Sequence, residues 1–148
     1  MQVRNARQED ADRIAGLLAQ LGYPGTEPFI RGKIEALLGH PDAELAVAVE
    51  NDLVVGFISM HFIPQIALPG DFARISYLCV DESVKGSGVG HLLEEWCERI
   101  ANEQGCDRIE LHCHSRREAA HRFYYRLGYE ESPKYLMKTV QTTGKDEQ

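Results

Sequence analysis

The stretch from Ala73 to Gly90 limits the fold more than any other part of the chain. Ala73 to Val80 reads as a strand, near-continuous in apolar residues at its Leu78-Cys79-Val80 end, and Lys85-Gly86-Ser87-Gly88-Val89-Gly90 follows it closely. The glycine segment opens a run in which Val89, Leu92, Leu93, Trp96 and Ile100 line one side and Gly105 follows the end. This pattern predicts a strand, a glycine turn and an amphipathic helix, with the apolar strand end buried on both faces. Three glycines at alternate positions let the backbone pass close to a ligand, and the open amides and dipole of the next helix favour an anion such as a phosphate or pyrophosphate. No Gly-Lys-Ser/Thr follows, so the segment is not a nucleotide P-loop, and it lacks the third spacing of the dinucleotide fingerprint.

The same alternation of periods runs through the rest of the chain. Val3 to Ala6 predicts a short strand. Glu9 to Leu21 predicts a helix, with Ile14, Leu17, Leu18 and Leu21 on one face and Gly22 as its stop. Thr26 and Pro28 start a second helix, whose Ile30, Ile34, Leu37 and Leu38 share a face before Gly39. Leu45 to Val49 and Leu53 to Phe62 predict a hairpin across Glu50-Asn51-Asp52, and Pro64 and Pro69-Gly70 mark a loop. A further strand is expected from Arg108 to Cys113. A capping box at Ser115 and Glu118 then opens a last helix with Ala119, Ala120, Phe123, Tyr124 and Leu127 on its apolar side and Gly128 at its end. Tyr135 to Val140 predicts a final strand, and residues 141–148 a frayed polar tail. With 148 residues and no linker or repeat, the chain reads as one domain over residues 1–140.

Charge and cysteine usage remove several functions. Sixteen Lys and Arg against 23 Asp and Glu leave a net charge of −7, which disfavours a nucleic-acid surface. No apolar run has the length of a membrane span, and the N-terminus lacks a signal-peptide core, so no membrane partner is expected and the cytoplasm is the expected compartment. Six basic residues (Arg116, Arg117, Arg122, Arg126, Lys134, Lys138) stand against three acidic ones (Glu118, Glu130, Glu131) in one segment, a local patch suited to an anion. Cys79, Cys97, Cys106 and Cys113 form no CxxC pair and read as reduced, mostly buried thiols. His112 and His114 lack a third ligand at known spacing, so no metal is expected.

With its context, Leu78-Cys79-Val80-Asp81-Glu82-Ser83-Val84-Lys85-Gly86-Ser87-Gly88-Val89-Gly90-His91-Leu92-Leu93 resembles the strand, pyrophosphate loop and helix of the GNAT superfamily of acetyl-CoA-dependent N-acetyltransferases. Phe123-Tyr124-Tyr125-Arg126-Leu127-Gly128-Tyr129 resembles the C-terminal helix motif of that family, and Ala120 to Glu130 is similar to aminoalkylphosphonate N-acetyltransferases. The resemblance implies an α/β (α+β) fold: a mixed, mostly antiparallel central sheet with a splay between two strands, flanked by about four helices. It implies that acetyl-CoA is held by Lys85, Gly86, Ser87, Gly88, Val89 and Gly90 at its pyrophosphate and by backbone at Leu78, Cys79 and Val80 along its pantetheine. Arg117, where the family often has Asn, joins that cofactor set, as does Tyr124. A homodimer is compatible with the same resemblance.

The chemistry that follows is direct transfer of acetyl from acetyl-CoA to a primary amine of a small molecule. Such a transfer needs a neutral amine near the thioester, a stabilised oxyanion and a proton for the departing thiolate. Tyr124 is the candidate acid, because a phenol of pKa about 10 stays protonated while a thiolate of about 8.5 can take its proton. An amide near Leu78 to Val80 is the expected oxyanion donor. Arg74 and Tyr77 stand where the family often has a carboxylate base, so the base falls to His112, with His61 and Glu82 as rivals, or to amine already neutral in solution. Cys79 is expected to pack rather than to attack the thioester. The acidic balance favours a cationic acceptor. The alternatives are a protein amino-group acetyltransferase, an acyl-CoA-binding module without catalysis, and a binder of another nucleotide.

Overall fold

Eleven residues of α1 (Ala11–Leu21) follow β1 (Gln2–Asn5) and a single 3-10 turn, and the helix stops where Gly22 takes φ 113° and returns its amide to Leu18 and Ala19. This is a computed structural model that describes residues 1–112, 118–131 and 136–140. The remaining described elements are α2 (Ile30–Leu38), β2 (Ala43–Glu50), β3 (Leu53–Ile63), β4 (Asp71–Val80), α3 (Val89–Glu103), β5 (Cys106–Leu111) and α4 (Glu118–Arg126). The β2–β3 hairpin turns at Asn51 and Asp52, both with positive φ, as the two-residue turn of a twisted hairpin requires.

The strands form one sheet in the order β1-β2-β3-β4-β5, antiparallel except for the parallel β4–β5 pair. The parallel pair needs a crossover, and α3 supplies it. The fold is therefore α+β with a mixed, mostly antiparallel sheet, as expected. The chain divides into two compact units, Met1–Leu111 and His112–Gln148.

Within the first unit the two faces of the sheet carry separate cores. Ala46, Ile58, Met60, Ala73 and Ile75 pack with Val89, Leu93 and Cys97 of α3. Leu45, Val47, Phe57 and Cys79 pack with Ile14 and Leu17 of α1 and Ile34 of α2. Full burial of a side chain such as Leu93 contributes about 1.5–3 kcal/mol relative to exposure. Gly56 permits α3 to sit this close, because a Cβ there would lie 2.9 Å from the Cys79 carbonyl and 3.0 Å from Val89 Cγ1.

A β-bulge changes the reading of β4. Ser59 pairs with Tyr77 but Met60 pairs with Ile75, so Ser76 is an extra residue and the alternation of side chains reverses across it. Ala73 and Ile75 face α3 before the bulge, and Leu78 and Val80 face α3 after it, while Cys79 moves to the α1/α2 side. The expected burial on both faces is not found. Tyr77 is exposed, and Leu78 and Val80 are only half-buried, because the described ladder to β5 ends at Ile75 and Leu111.

Two further expectations are corrected. β5 starts at Cys106, directly after the Gly105 turn at φ 77°, and ends at Leu111, so His112 lies beyond the strand and is exposed. Leu136 to Val140 is irregular and not a strand, with Leu136, Met137 and Val140 largely in solvent. Alternating hydrophobicity without a paired neighbour does not make a strand. Tyr135 and residues 141–148 lie outside the described residues, as do Cys113, His114, Ser115 and Arg116. Cys79 and Cys97 are buried and Cys106 is half-buried. Burial, with Glu94 and Glu98 nearby, pushes the Cys97 thiol up to about 12.

Candidate functional site

The turn between β4 and α3 is built by its own side chains. Asp81 accepts from the Ser83 amide and hydroxyl, both at 3.0 Å, which closes a short 3-10 turn over Glu82–Val84. Arg13 of α1 donates to Asp81 at 2.7 Å and to the Val54 carbonyl, so the turn is tied to the helix and the sheet at once. The Ser83 amide and the Arg13 guanidinium hold the Asp81 carboxyl down to about 2. The Asp81 amide itself donates to Val55.

Gly86 and Gly88 then take φ 87° and 95°, in a region that side-chain-bearing residues rarely enter. Nothing lies within 4 Å of where a Cβ would stand at either position, so both face open space. The Ser87 amide and hydroxyl turn back to the Val84 carbonyl, and Lys85 pairs with Glu82 at 3.5 Å. The first intrahelical bond of α3 runs from Leu92 to Gly88. Val89, Gly90 and His91 thus present amides with no partner inside the helix, and no side chain caps that end. This is an anion-binding geometry, aimed by the helix dipole.

Directly before the turn, β4 carries an open edge. Ser76 to Val80 has no β5 partner among the described residues, although β3 pairs its other side. Leu78, Cys79 and Val80, singled out from the sequence, lie on this stretch. Cys79 packs in the α1/α2 core, and its thiol donates to the Leu17 carbonyl at 3.1 Å.

Before the bulge, the α1/α2 side of the sheet turns polar. Arg74 is the ladder partner of both His61 on β3 and Glu110 on β5, so the three share a face. Arg74 Nη2 donates to Glu110 Oε1 at 3.0 Å, and Arg108 lies 3.7 Å from Glu110 Oε2. The Arg108 guanidinium stacks over Phe72 at 4.3 Å. Burial, then His40 and Arg74, lower the His61 pKa below its ordinary 6.5. Tyr77 meets Tyr23 edge-on at 5.4 Å. Glu82, the other rival base, is exposed at the turn and takes part in the Lys85 pair.

In the second unit, α4 ends as its Gly128 predicted, with φ 95° and the Tyr129 amide returning to the Tyr124 carbonyl. Tyr124 is buried, with its ring 5.1 Å from Phe123 and 5.4 Å from Tyr129, both edge-on. Glu118 and Arg122 form an exposed pair one turn apart. Arg117 lies outside the described residues.

The chain matches the acetyltransferase (GNAT) family over residues 11–129. It belongs to the GNAT family. This GNAT chain is 31% identical over 132 residues to an aminoalkylphosphonate N-acetyltransferase of Salmonella typhimurium, covering 88% of this chain and 86% of that one. Among solved structures, a transcriptional regulator of Bacillus halodurans is similar with a TM-score of 0.87 at 24% identity, covering 94% of this chain and 99% of that one. An aminoglycoside N-acetyltransferase solved with CoA has a TM-score of 0.83 at 16% identity, covering 95% of each chain. Both structures share the fold.

Several residues of the candidate site carried weak sequence signals. Asp81-x-Ser83 is a local turn signal that could have been read, but Arg13, 68 residues away from Asp81, has no such mark. Arg108 and Phe72 meet only because two strands distant in sequence are in register.

Proposed function

We propose that this GNAT protein transfers an acetyl group from acetyl-CoA to a primary amine of a small molecule by direct attack. The observation that carries the reading is the continuity of the open β4 edge, Ser76–Val80, with the uncapped start of α3 at Gly88. An extended pantetheine would take the backbone groups of Leu78 to Val80 in place of a neighbouring strand. Its pyrophosphate would take the amides of the Gly86–Gly90 turn, with Lys85 as the adjacent cation. The CoA bound to the aminoglycoside enzyme and the amine substrate named for the Salmonella enzyme support the same donor and acceptor classes.

In this reading the thioester lies where the β4–β5 ladder closes, near Ser76. Once the neutral amine attacks the acetyl carbon, an amide of β4 stabilises the oxyanion and the C–S bond breaks as Tyr124 gives its proton to the CoA thiolate. The ammonium proton leaves to solvent or to His112, and Arg117 adds a contact to the cofactor. The test is a screen of amines with acetyl-CoA and detection of free CoA, followed by the pH profile of kcat/KM in wild type and His112→Ala. Release of CoA that depends on both amine and protein upholds transfer. A second reading, acyl-CoA binding without transfer, is favoured by one observation, that Arg74 and Tyr77 occupy the strand where the family often has a carboxylate base. Stabilisation by acetyl-CoA with no turnover of any amine would select it.

A further inference from the structure

The charge beside the proposed thioester site differs from that of the whole chain. On the face shared by His61, Arg74 and Glu110, two guanidinium groups meet one carboxylate, and that carboxylate is already divided, Oε1 to Arg74 and Oε2 toward Arg108. Arg74 Nε is buried and has no acceptor among the described residues. The side chains of Arg74 and Arg108 keep 39% and 50% of their exposure, and the α1/α2 core reaches only to Phe57 and Cys79 on these strands. Among the described residues the cluster is therefore a patch of surplus positive charge that the α1/α2 core leaves open, with Phe72 under the Arg108 guanidinium.

We propose that Arg74 and Arg108 hold an acidic group of the acceptor, so that the acceptor is a short zwitterion, an amine joined through a few carbons to a carboxylate or phosphonate. This rests on the transfer reading above, which puts the thioester near Ser76. Arg74 is two residues away along the strand, roughly 7 Å, within the span of such a molecule and a guanidinium. Planar guanidinium groups suit an oxyanion, and Glu110 orients both forks toward it. After burial and His40, Arg74 adds to the lowering of the His61 pKa. A polyamine would bring its second ammonium against Arg74 and Arg108. The net −7 of the chain acts at a distance and is screened beyond about 8–10 Å.

The experiment compares β-alanine, 2-aminoethylphosphonate, n-propylamine and putrescine as acceptors in wild type, Arg74→Gln and Arg74→Lys. CoA release reads turnover, and calorimetry in the presence of CoA reads acceptor binding separately. Wild type should prefer the two acidic amines. Arg74→Gln should lose roughly 10- to 100-fold in kcat/KM for them and change propylamine by no more than about twofold, with Arg74→Lys in between. The stronger of the two acidic probes identifies the oxyanion. Wild-type preference for propylamine or putrescine overturns the proposal and leaves transfer standing. A preserved acidic preference in Arg74→Gln, with only a lower Tm, also overturns it and reduces the Arg74–Glu110 pair to joining two strands. Should no amine release CoA, the transfer reading fails, and calorimetry decides the anion site: binding of 2-aminoethylphosphonate that Arg74→Gln abolishes upholds it, and no binding in wild type overturns it.

Discussion

Arg13 on α1 and Asp81 at the end of β4 are 2.7 Å apart, and the same guanidinium also holds the Val54 carbonyl of β3. One side chain thus joins the first helix, the middle of the sheet and the turn that leads to Gly86. Asp81 is mostly shielded, with 13% of its side chain exposed, while Arg13 keeps 37%. The pair fixes where the glycine turn leaves the sheet.

The first prediction follows from this pair. Asp81 titrates at about 2 in the folded protein against 3.8 ordinarily, so its contribution to stability is complete above roughly pH 4 and is lost as pH falls through 2. Asp81→Asn keeps a cap for Ser83 but removes the charge. It should flatten the loss of Tm between pH 4 and pH 2, and raise KM for acetyl-CoA at pH 7 by freeing the turn. An unchanged acid limb in thermal melts would remove Asp81 from the account.

Gly56→Ala tests the seating of α3. The new Cβ would meet the Cys79 carbonyl at 2.9 Å and Leu93 Cδ1 at 3.2 Å, and the backbone contact cannot rotate away. Destabilisation of about 1–3 kcal/mol in urea titration is expected, accompanied by weaker acetyl-CoA binding because α3 carries the anion-facing amides. Wild-type stability in this variant would show that the helix shifts freely.

Gly88→Val addresses the turn itself. Space is open at the site, so no clash arises, but φ 95° strains a β-branched residue by about 1–2 kcal/mol. The variant should unfold cooperatively at a somewhat lower temperature and show none of the thermal stabilisation that acetyl-CoA gives wild type. Full stabilisation by acetyl-CoA would place the pyrophosphate elsewhere.

Tyr124→Phe keeps the edge-on contacts with Phe123 and Tyr129 and removes one proton. A fall in kcat of roughly 10²–10⁴ is expected, with acetyl-CoA affinity unchanged in calorimetry. Wild-type turnover across the accessible pH range would leave Tyr124 a packing residue.

By itself the sequence determined the order of strands and helices as far as α4, the helix stops at Gly22 and Gly128, the hairpin at Asn51-Asp52 and the glycine turn, because each is written in residues a few positions apart and acts through local backbone preference or periodicity. The GNAT resemblance was legible in the same short motifs. The tertiary structure alone decided the bulge at Ser76, which reverses the faces of β4, and the end of the β5 ladder at Leu111, which leaves His112 outside the strand. It also decided the Arg13–Asp81 tie and the grouping of His61, Arg74, Arg108 and Glu110. These depend on the register between strands and on side chains far apart along the chain. A one-residue shift in pairing changes every neighbour while leaving the local pattern intact.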